Sequence, residues 1–220
     1  MHIQFVGVPG SGKSTIVNDL LKTFPKKYIK GEKVYTSFTK MLLNRPIVVF
    51  RSILLSLPIL PLCIKFLNKS PLVSGNKYIA IVGLFVNIGN FIITKNNNKF
   101  QNRIVLWDEL FFQRLLSIFC YSNVKLEDSD ILKYINWANK KFNVGTVLIL
   151  CDFKINIERL IERGVPDRMK LIESDQLIQI IKNQEQVVLF MKQNLKESKV
   201  INSKLSIKHN IKILNEYFLN

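Results

Sequence analysis

The sequence predicts an α/β protein in which helices cover both faces of a parallel sheet. Short apolar runs alternate with segments of helical periodicity along most of the 220 residues. Two of these runs, within 102–109 and 145–152, are apolar without alternation, as is typical of central parallel strands. The glycine-rich stretch "GVPGSGKST" follows the first apolar run directly. The chain is long enough for one domain with a substantial core.

The predicted elements follow in chain order. The five strands are expected at 2–8, 33–38, 102–109, 145–152 and 199–203, with a basic turn at 25–33 before the second. The helices are expected at 12–24, 109–119, 127–142, 155–164, 174–195 and 207–218. Asp128 or Ser129 is the expected N-cap of the helix at 127–142.

A strongly apolar insert at 41–98 interrupts this alternation. Its two main segments, 46–67 and 78–93, are close to the length that spans a bilayer. The first is broken by an arginine and two prolines, and the second contains Asn87 and Asn90. Buried or cleft-lining helices are therefore the first interpretation. Docking on a membrane surface and a true membrane span are the alternatives.

The chain is basic, with 32 Lys and Arg against 16 Asp and Glu, a formal net charge of +16. Such a surface attracts anions such as phosphorylated metabolites, nucleic acid or acidic lipid, or is simply a solvated basic surface. No Lys/Arg cluster is interleaved with aromatic residues, which disfavours a nucleic-acid partner. The sequence leaves the oligomeric state open.

Cysteine usage and the amino terminus bear on the compartment. Cys63, Cys120 and Cys151 are far apart and flanked by apolar residues, so we expect buried free thiols in a reducing compartment. The first strand begins at once and leaves no room for a signal peptide. The expected localisation is cytoplasmic, with peripheral membrane contact through 41–94 as the alternative.

The stretch at 7–15 matches the phosphate-loop pattern G-x-x-x-x-G-K-[ST]. Glycines at positions 10 and 12 allow successive backbone amides to converge on phosphate oxygens, and the following helix directs its positive end at the same anion. Lys13 is expected to reach the β- and γ-phosphates and Ser14 to bind Mg²⁺. The expected nucleotide-binding residues are Pro9, Gly10, Ser11, Gly12, Lys13, Ser14 and Thr15, together with Arg159 further along the chain.

An acidic pair, Asp108 and Glu109, ends the third predicted strand. Behind a phosphate loop, Asp108 is expected to hold the magnesium shell, as in Walker B sites. Such a pair can also serve only as a helix N-cap.

An arginine lid is predicted at 159–169. Arg159 and Arg163 share a helix face and Arg168 follows after a turn, so their guanidinium groups can neutralise charge on a transferring phosphoryl group. Neighbouring acidic residues offer the alternative of local ion pairs. Arg114, after the acidic pair, and Arg51, in the insert, are expected to contact the acceptor.

With the loop, the acidic strand end and the arginine lid in this order, the chain resembles the small P-loop kinases of the thymidylate-kinase or nucleoside and nucleotide kinase type. The resemblance implies a P-loop NTPase three-layer sandwich with a five-stranded parallel sheet in the order 2-3-1-4-5. It also implies transfer of the ATP γ-phosphoryl group to a small acceptor, with ATP and Mg²⁺ as cofactors. The loop after "VINS" (200–203) would border the adenine.

Three departures from that family leave the acceptor open. Thymidylate kinases carry Asp-Arg where this chain has Asp108-Glu109. Deoxynucleoside kinases place an acid at the end of the second strand, and the predicted strand at 33–38 offers none. The insert at 41–98 replaces the usual substrate-binding region. Nucleosides, nucleotides, sugars and lipid-linked acceptors all remain candidates.

The leading hypothesis is thus an ATP-dependent phosphotransferase in which Asp108 or Glu109 is the general base. We favour Asp108 for magnesium and Glu109 for the base. The alternative is an NTPase that hydrolyses ATP or GTP, since a glutamate after a Walker B aspartate commonly polarises water. A membrane-docked nucleotide-binding module is the third hypothesis.

Overall fold

In a computed structural model, five parallel strands form one sheet in the order β2-β3-β1-β4-β5. The structure describes residues 1–31, 33–69, 74–121, 127–164 and 172–218. The strands are β1 (His2–Val6), β2 (Tyr28–Lys30), β3 (Ile104–Trp107), β4 (Gly145–Leu150) and β5 (Ser198–Asn202). The predicted three-layer architecture and its strand order are confirmed.

The helices connect the strands and cover the sheet. They are α1 (Lys13–Thr23), α2 (Phe38–Asn44), α3 (Pro46–Ser56), α4 (Leu60–Asn68), α5 (Ser74–Lys95), α6 (Phe111–Phe119), α7 (Asp128–Phe142), α8 (Phe153–Arg163), α9 (Ser174–Asn194) and α10 (Ile207–Tyr217), with a short 3-10 helix at Asn98–Phe100. The expected cap of α7 is displaced by one residue, because Glu127 occupies the N-cap position and Asp128 begins the helix.

The apolar strands are buried on both sides, which is why they lack alternation. On β4, Val147 and Ile149 face a core that includes buried residues of α1 and α10. Leu148 faces the opposite and larger core, to which α4 to α7 and α9 contribute. Phe91, Phe111 and Phe142 meet there, and the rings of Phe111 and Phe142 stack with centroids 3.9 Å apart.

The second strand does not lie where the sequence predicts it. The predicted strand at 33–38 has no strand structure at its described positions, and β2 lies within the predicted basic turn. Tyr28 decides this placement, because it is buried on the α10 side of the sheet and its hydroxyl donates to Asn215 Oδ1 over 3.0 Å. The chain leaves β2 at Gly31, where a side chain would overlap the ring of Trp107. In the sequence, an acid therefore follows the second strand after all, at Glu32, which lies outside the described residues.

The insert forms α2 to α5, and its last helix is the most embedded of its apolar segments. Leu84, Ile88 and Phe91 on α5 are buried in the larger core. Within the described part of the chain, no single helix meets the length and hydropathy of a membrane span. The pair α3 and α4 meets them only jointly, and its two helices bend by 79°.

Candidate functional site

The loop between β1 and α1 has the backbone that phosphate binding requires. Gly10 and Gly12 have φ values of 84° and 87°, a region that residues with a side chain rarely adopt. A side chain at position 10 would also contact the carbonyl oxygen of Asn156 at 2.9 Å. Glycine is therefore required at position 10 both by its backbone angle and by the approach of α8.

The amino end of α1 faces this loop without a competing acid. Gly12 is the N-cap, and the first turn of α1 contains no acidic residue. The Lys13 ammonium lies over the loop and donates to the carbonyl oxygens of Gly7 at 2.6 Å and Val8 at 3.0 Å. A bound phosphate would draw this ammonium from neutral carbonyls to charged oxygens, which form stronger hydrogen bonds.

A cavity of about 200 Å³ lies beside the loop, between it and the segment after β5. Arg159 of α8 borders it and reaches the loop, with Nη1 3.3 Å from the carbonyl oxygen of Gly10. Asn210 Nδ2 donates to the carbonyl oxygen of Asn202 at 2.9 Å, which orients the amide. The cavity is lined by Gly10, Ser11, Gly12, Thr15, Ile16, Arg159, Ser203, Leu205, Ile207 and Asn210.

Three lining residues of this cavity carry buried polar atoms without a hydrogen-bond partner among the described residues. They are Ser11 Oγ, Ser203 Oγ and Asn210 Oδ1. Buried polar groups are usually satisfied, so unsatisfied ones around a cavity indicate a polar ligand. The segment after β5, which the resemblance implied would border the adenine, lies next to the loop.

The acidic pair and the loop both lie at the carboxyl-terminal ends of the parallel strands. β1 and β3 are parallel neighbours with Gln4 opposite Trp107, so the residues after both strands emerge together. Asp108 forms an ion pair with Lys30 at 3.2 Å. Glu109 is held between Lys33 at 2.8 Å and Arg114 at 3.5 Å.

Two buried glutamines attach α6 to the loop and to β1. The Gln4 side chain accepts from the backbone N–H of Phe112 at 3.1 Å, and Gln113 Oε1 accepts from the N–H of Gly7 at 3.4 Å. The first turn of α6 is thereby fixed relative to the phosphate loop, and the acidic pair just before it is fixed as well. Neither glutamine was predicted from the sequence.

A second cavity, of about 240 Å³, lies between α5, α6 and the segment after β2, and we call it the α5–α6 cleft. Arg114 and Lys33, the two cations that hold Glu109, are among its lining residues, so the cleft adjoins the acidic pair. Asn87 Nδ2 and Arg114 Nε are buried there without a partner among the described residues. The cleft is lined by Lys33, Tyr35, Thr36, Ile79, Val82, Gly83, Val86, Asn87, Asn90 and Arg114.

Asn90 fixes one wall of this cleft. Its Oδ1 accepts from the backbone N–H of Tyr35 at 2.9 Å, and its Nδ2 donates to the carbonyl oxygen of Tyr35 at 2.8 Å. Sequence reasoning used Asn87 and Asn90 only as evidence against a membrane span. Two asparagines three positions apart on an apolar helix share a face, and that spacing was the available signal for a polar cleft.

The predicted site residues are thus partly assembled. The loop, Arg159, the acidic pair and Arg114 lie near the carboxyl-terminal ends of the strands. Arg51, the other residue expected to contact the acceptor, is exposed on α3 and is not among the residues that line the α5–α6 cleft. Of the lid, Arg163 ends α8 but its side chain is outside the described part of the structure, and Arg168 lies outside the described residues.

The predicted free thiols are present. Cys63, Cys120 and Cys151 are buried and form no disulfide. Burial raises the pKa of Cys63 to about 12, so this thiol stays protonated at neutral pH.

In the described part of the chain, no group of three or more His, Cys, Asp or Glu side chains could hold a metal ion. The hydroxyl of Ser14 and the carboxylate of Asp108 are hard oxygen donors that suit Mg²⁺ completed by water and phosphate oxygens.

Comparison with solved structures bears on the fold. Deoxyadenosine kinase from M. mycoides with the products dCMP and a flexible dCDP aligns at 17% identity with a TM-score of 0.57, over 99% of this chain and 98% of that one. The same enzyme with bound dATP aligns at 17% identity with a TM-score of 0.56 over the full length of both chains. The chain has the fold of a P-loop kinase. These neighbours are nucleoside kinases and do not support the thymidylate-kinase type specifically. No protein-family model matches the sequence, and neither does any curated protein.

Proposed function

We propose that this protein is an ATP-dependent phosphotransferase that moves the γ-phosphoryl group of ATP to a small acceptor bound in the α5–α6 cleft. The observation that carries the proposal is the cleft itself. It adjoins the acidic pair through Lys33 and Arg114, and it contains buried donors on Asn87 and Arg114 that have no partner among the described residues. A hydrolase needs to bind only water as its acceptor, whereas a transferase needs a second binding site.

The size and chemistry of the cleft limit the acceptor. A volume of about 240 Å³ is below the usual range for drug-sized ligands, which favours one small molecule. Its unpartnered groups are an amide N–H and a guanidinium N–H, which match hydroxyl, carbonyl or phosphate oxygens. Nucleosides are the first class to test, because the structural neighbours are deoxyadenosine kinases. Nucleotides, sugars and lipid-linked acceptors remain in the screen.

The residues of the site divide into three roles. The loop amides, Lys13 and Arg159 would bind and neutralise the triphosphate. Ser14 and Asp108 would hold Mg²⁺, which supplies charge neutralisation at the phosphates when bound. The base that accepts the proton of the acceptor hydroxyl would be Glu109, Asp108 or Glu32, the acid that follows β2 in the sequence.

The alternative of nucleotide hydrolysis rests on Glu109, the residue after the Walker B aspartate. In this structure Glu109 is held by two cations, Lys33 and Arg114, both of which line the cleft. This arrangement favours a carboxylate that is positioned toward an acceptor over one that polarises a free water.

An acceptor screen with ATP and Mg²⁺, followed by ADP release, tests the proposal. We expect turnover that depends on one acceptor class, and we expect Lys13→Ala to lower it by at least about a hundredfold, because electrostatic stabilisation of the transferring group is lost. Lys22→Ala, at the exposed end of the same helix, is the matched control and should retain activity. Equal ADP release with and without every acceptor would show hydrolysis instead.

Asn210 supports adenine as the base of the nucleotide. Its Oδ1, which has no partner in the described part of the chain, is an acceptor in the cavity beside the loop, and an exocyclic amine such as that of adenine is a matching donor. We expect Asn210→Leu to raise KM for ATP by roughly five- to tenfold, in line with loss of a net hydrogen bond of about 1 kcal/mol. Lys212→Leu, at an exposed position of the same helix, is the control. An unchanged ratio of ATP to GTP usage in Asn210→Leu would contradict this assignment.

A further inference from the structure

A row of large apolar side chains lies exposed along α2 and α3. Ile47, Phe50, Leu54 and Leu57 follow a three-four-three spacing, which places them on one side of α3, and Leu43 precedes them near the end of α2. Their exposed fractions lie between 47% and 80%. We call this row the outer α2–α3 face, and it consists of Leu43, Ile47, Phe50, Leu54 and Leu57.

The inner side of α3 is fully engaged in the fold. Val49, Ser52 and Ser56 are buried, and Trp137 of α7 donates from Nε1 to the carbonyl oxygen of Leu55 at 2.9 Å. The helix is therefore anchored from one side, while its apolar outer side remains open to solvent. Contiguous exposed apolar surface of this kind marks an interaction site.

The charge around this face has a single sign. From residue 33 to residue 107 the sequence has ten Lys and Arg and no Asp or Glu, which accounts for ten of the sixteen formal net charges. Lys40, Arg45 and Arg51 are exposed on α2, between α2 and α3, and on α3. None of these three forms an ion pair with another residue that the structure describes.

We propose that the outer α2–α3 face binds the surface of an anionic lipid bilayer. Phe50 and its apolar neighbours would enter the boundary between headgroups and acyl chains, as the apolar side of an interfacial amphipathic helix does. Lys40, Arg45 and Arg51 would lie at the lipid phosphates, with their aliphatic stems along the apolar surface. This inference goes beyond the proposed phosphotransferase activity and does not depend on it.

Charge argues against a second copy of this chain as the occupant. A two-fold interface brings the same surface of each copy together, so the arginines and lysines of one face would meet those of the other. No acidic residue of the segment 33–107 is available to neutralise them. An anionic bilayer complements both the apolar row and its positive surroundings.

Sedimentation of the full chain with lipid vesicles tests the proposal. We expect binding to vesicles of phosphatidylcholine mixed with phosphatidylserine and little binding to phosphatidylcholine alone. We expect high salt to release the protein, because screening weakens the attraction of cations to the anionic surface. Equal binding to both vesicle types, or no binding to either, would overturn the proposal.

Paired substitutions separate the two contributions. Phe50→Ser with Leu54→Ser removes apolar surface, and Arg45→Gln with Arg51→Gln removes charge. We expect each pair to weaken binding by at least tenfold. For the charge pair this follows because each cation near an anionic membrane contributes roughly fivefold. Leu189→Ser with Lys192→Gln, at exposed positions of α9, is the matched control and should bind like the wild type.

Thermal unfolding of each variant distinguishes lost binding from lost folding. Because Arg45 and Arg51 are exposed, the charge pair still tests the proposal if the serine pair fails to fold. Wild-type binding by a folded charge variant would overturn the proposal. A concentration-dependent dimer that Phe50→Ser with Leu54→Ser abolishes would also overturn it, because the face would then be a protein interface.

Discussion

A single histidine links the amino terminus of the chain to the third strand. His2 Nδ1 accepts a hydrogen bond from Trp107 Nε1 at 3.2 Å, and its ring packs edge-on against Phe91. Burial, with the positive charges of the amino terminus and Lys95, lowers the pKa of His2 from 6.5 to about 4. Protonation would also remove the acceptor that the indole requires.

This histidine predicts an acid-sensitive part of the stability. Its pKa is lower in the folded state, so the unfolded chain binds more protons between pH 6.5 and 4, and stability falls as the pH falls through that window. Relative to His2→Gln, which keeps an acceptor but does not titrate, we expect the wild type to lose ~1–2 kcal/mol across it, after allowance for solvent screening. Chemical denaturation at each pH measures this difference.

His209→Gln, at an exposed position of α10, is the control and should follow the wild-type profile. A difference between the wild type and His2→Gln that stays constant from pH 6.5 to 4 would show that the imidazole is not shielded as its surroundings indicate.

At the scale of elements, α5 positions the segment after β2 through one side chain. The two hydrogen bonds of Asn90 with the backbone of Tyr35 hold the stretch that carries Lys33, and Lys33 in turn pairs with Glu109. The insert thus does more than cover the sheet. It sets the position of one side of the cleft.

We expect Asn90→Ala to raise KM for the acceptor roughly five- to tenfold and to leave KM for ATP near its wild-type value, because the nucleotide cavity shares no residue with this contact. The free energy of unfolding should fall by about 1–3 kcal/mol, since the backbone groups of Tyr35 lose their partners. Steady-state kinetics and denaturant unfolding provide the measurements. Asn96→Ala, exposed just beyond α5, is the control. A rise confined to KM for ATP would be inconsistent with this role.

The sequence predicted strands correctly where both faces of the strand are buried. The runs that became β3 and β4 lie between two apolar layers, and their lack of alternation was sufficient to place them. The second strand was misplaced because β2 is only three residues long and lies at an edge of the sheet, within a lysine-rich stretch. Its position depends on Tyr28 reaching Asn215, a contact across 187 positions that local periodicity does not encode.

At the scale of the whole molecule, a bound nucleotide is expected to stabilise the fold by contacting segments from both ends of the chain. The loop, α8 through Arg159 and the segment before α10 surround one cavity, so a ligand there would join the two ends of the chain. At a hundred times its Kd, ATP with Mg²⁺ should stabilise the folded state by about 2.7 kcal/mol. For a chain of this size that corresponds to an increase in Tm of roughly 5–10 °C.

Differential scanning fluorimetry measures this shift. Lys13→Ala should reduce it strongly, and Lys22→Ala should not. If the Tm of the wild type does not respond to ATP with Mg²⁺, the assignment of the cavity beside the loop to a nucleotide is wrong.

The sequence by itself determined four of the five strands, the loop between β1 and α1 and the acidic pair at the end of β3, because each is encoded by neighbouring residues. A loop of fixed spacing and an uninterrupted apolar run require no knowledge of distant contacts. The tertiary structure alone decided where β2 lies, that Arg51 faces outward, and that Asn87, Arg114 and Lys33 enclose a cleft. Those properties arise from side chains that meet across long stretches of chain, and only packing determines which of them meet.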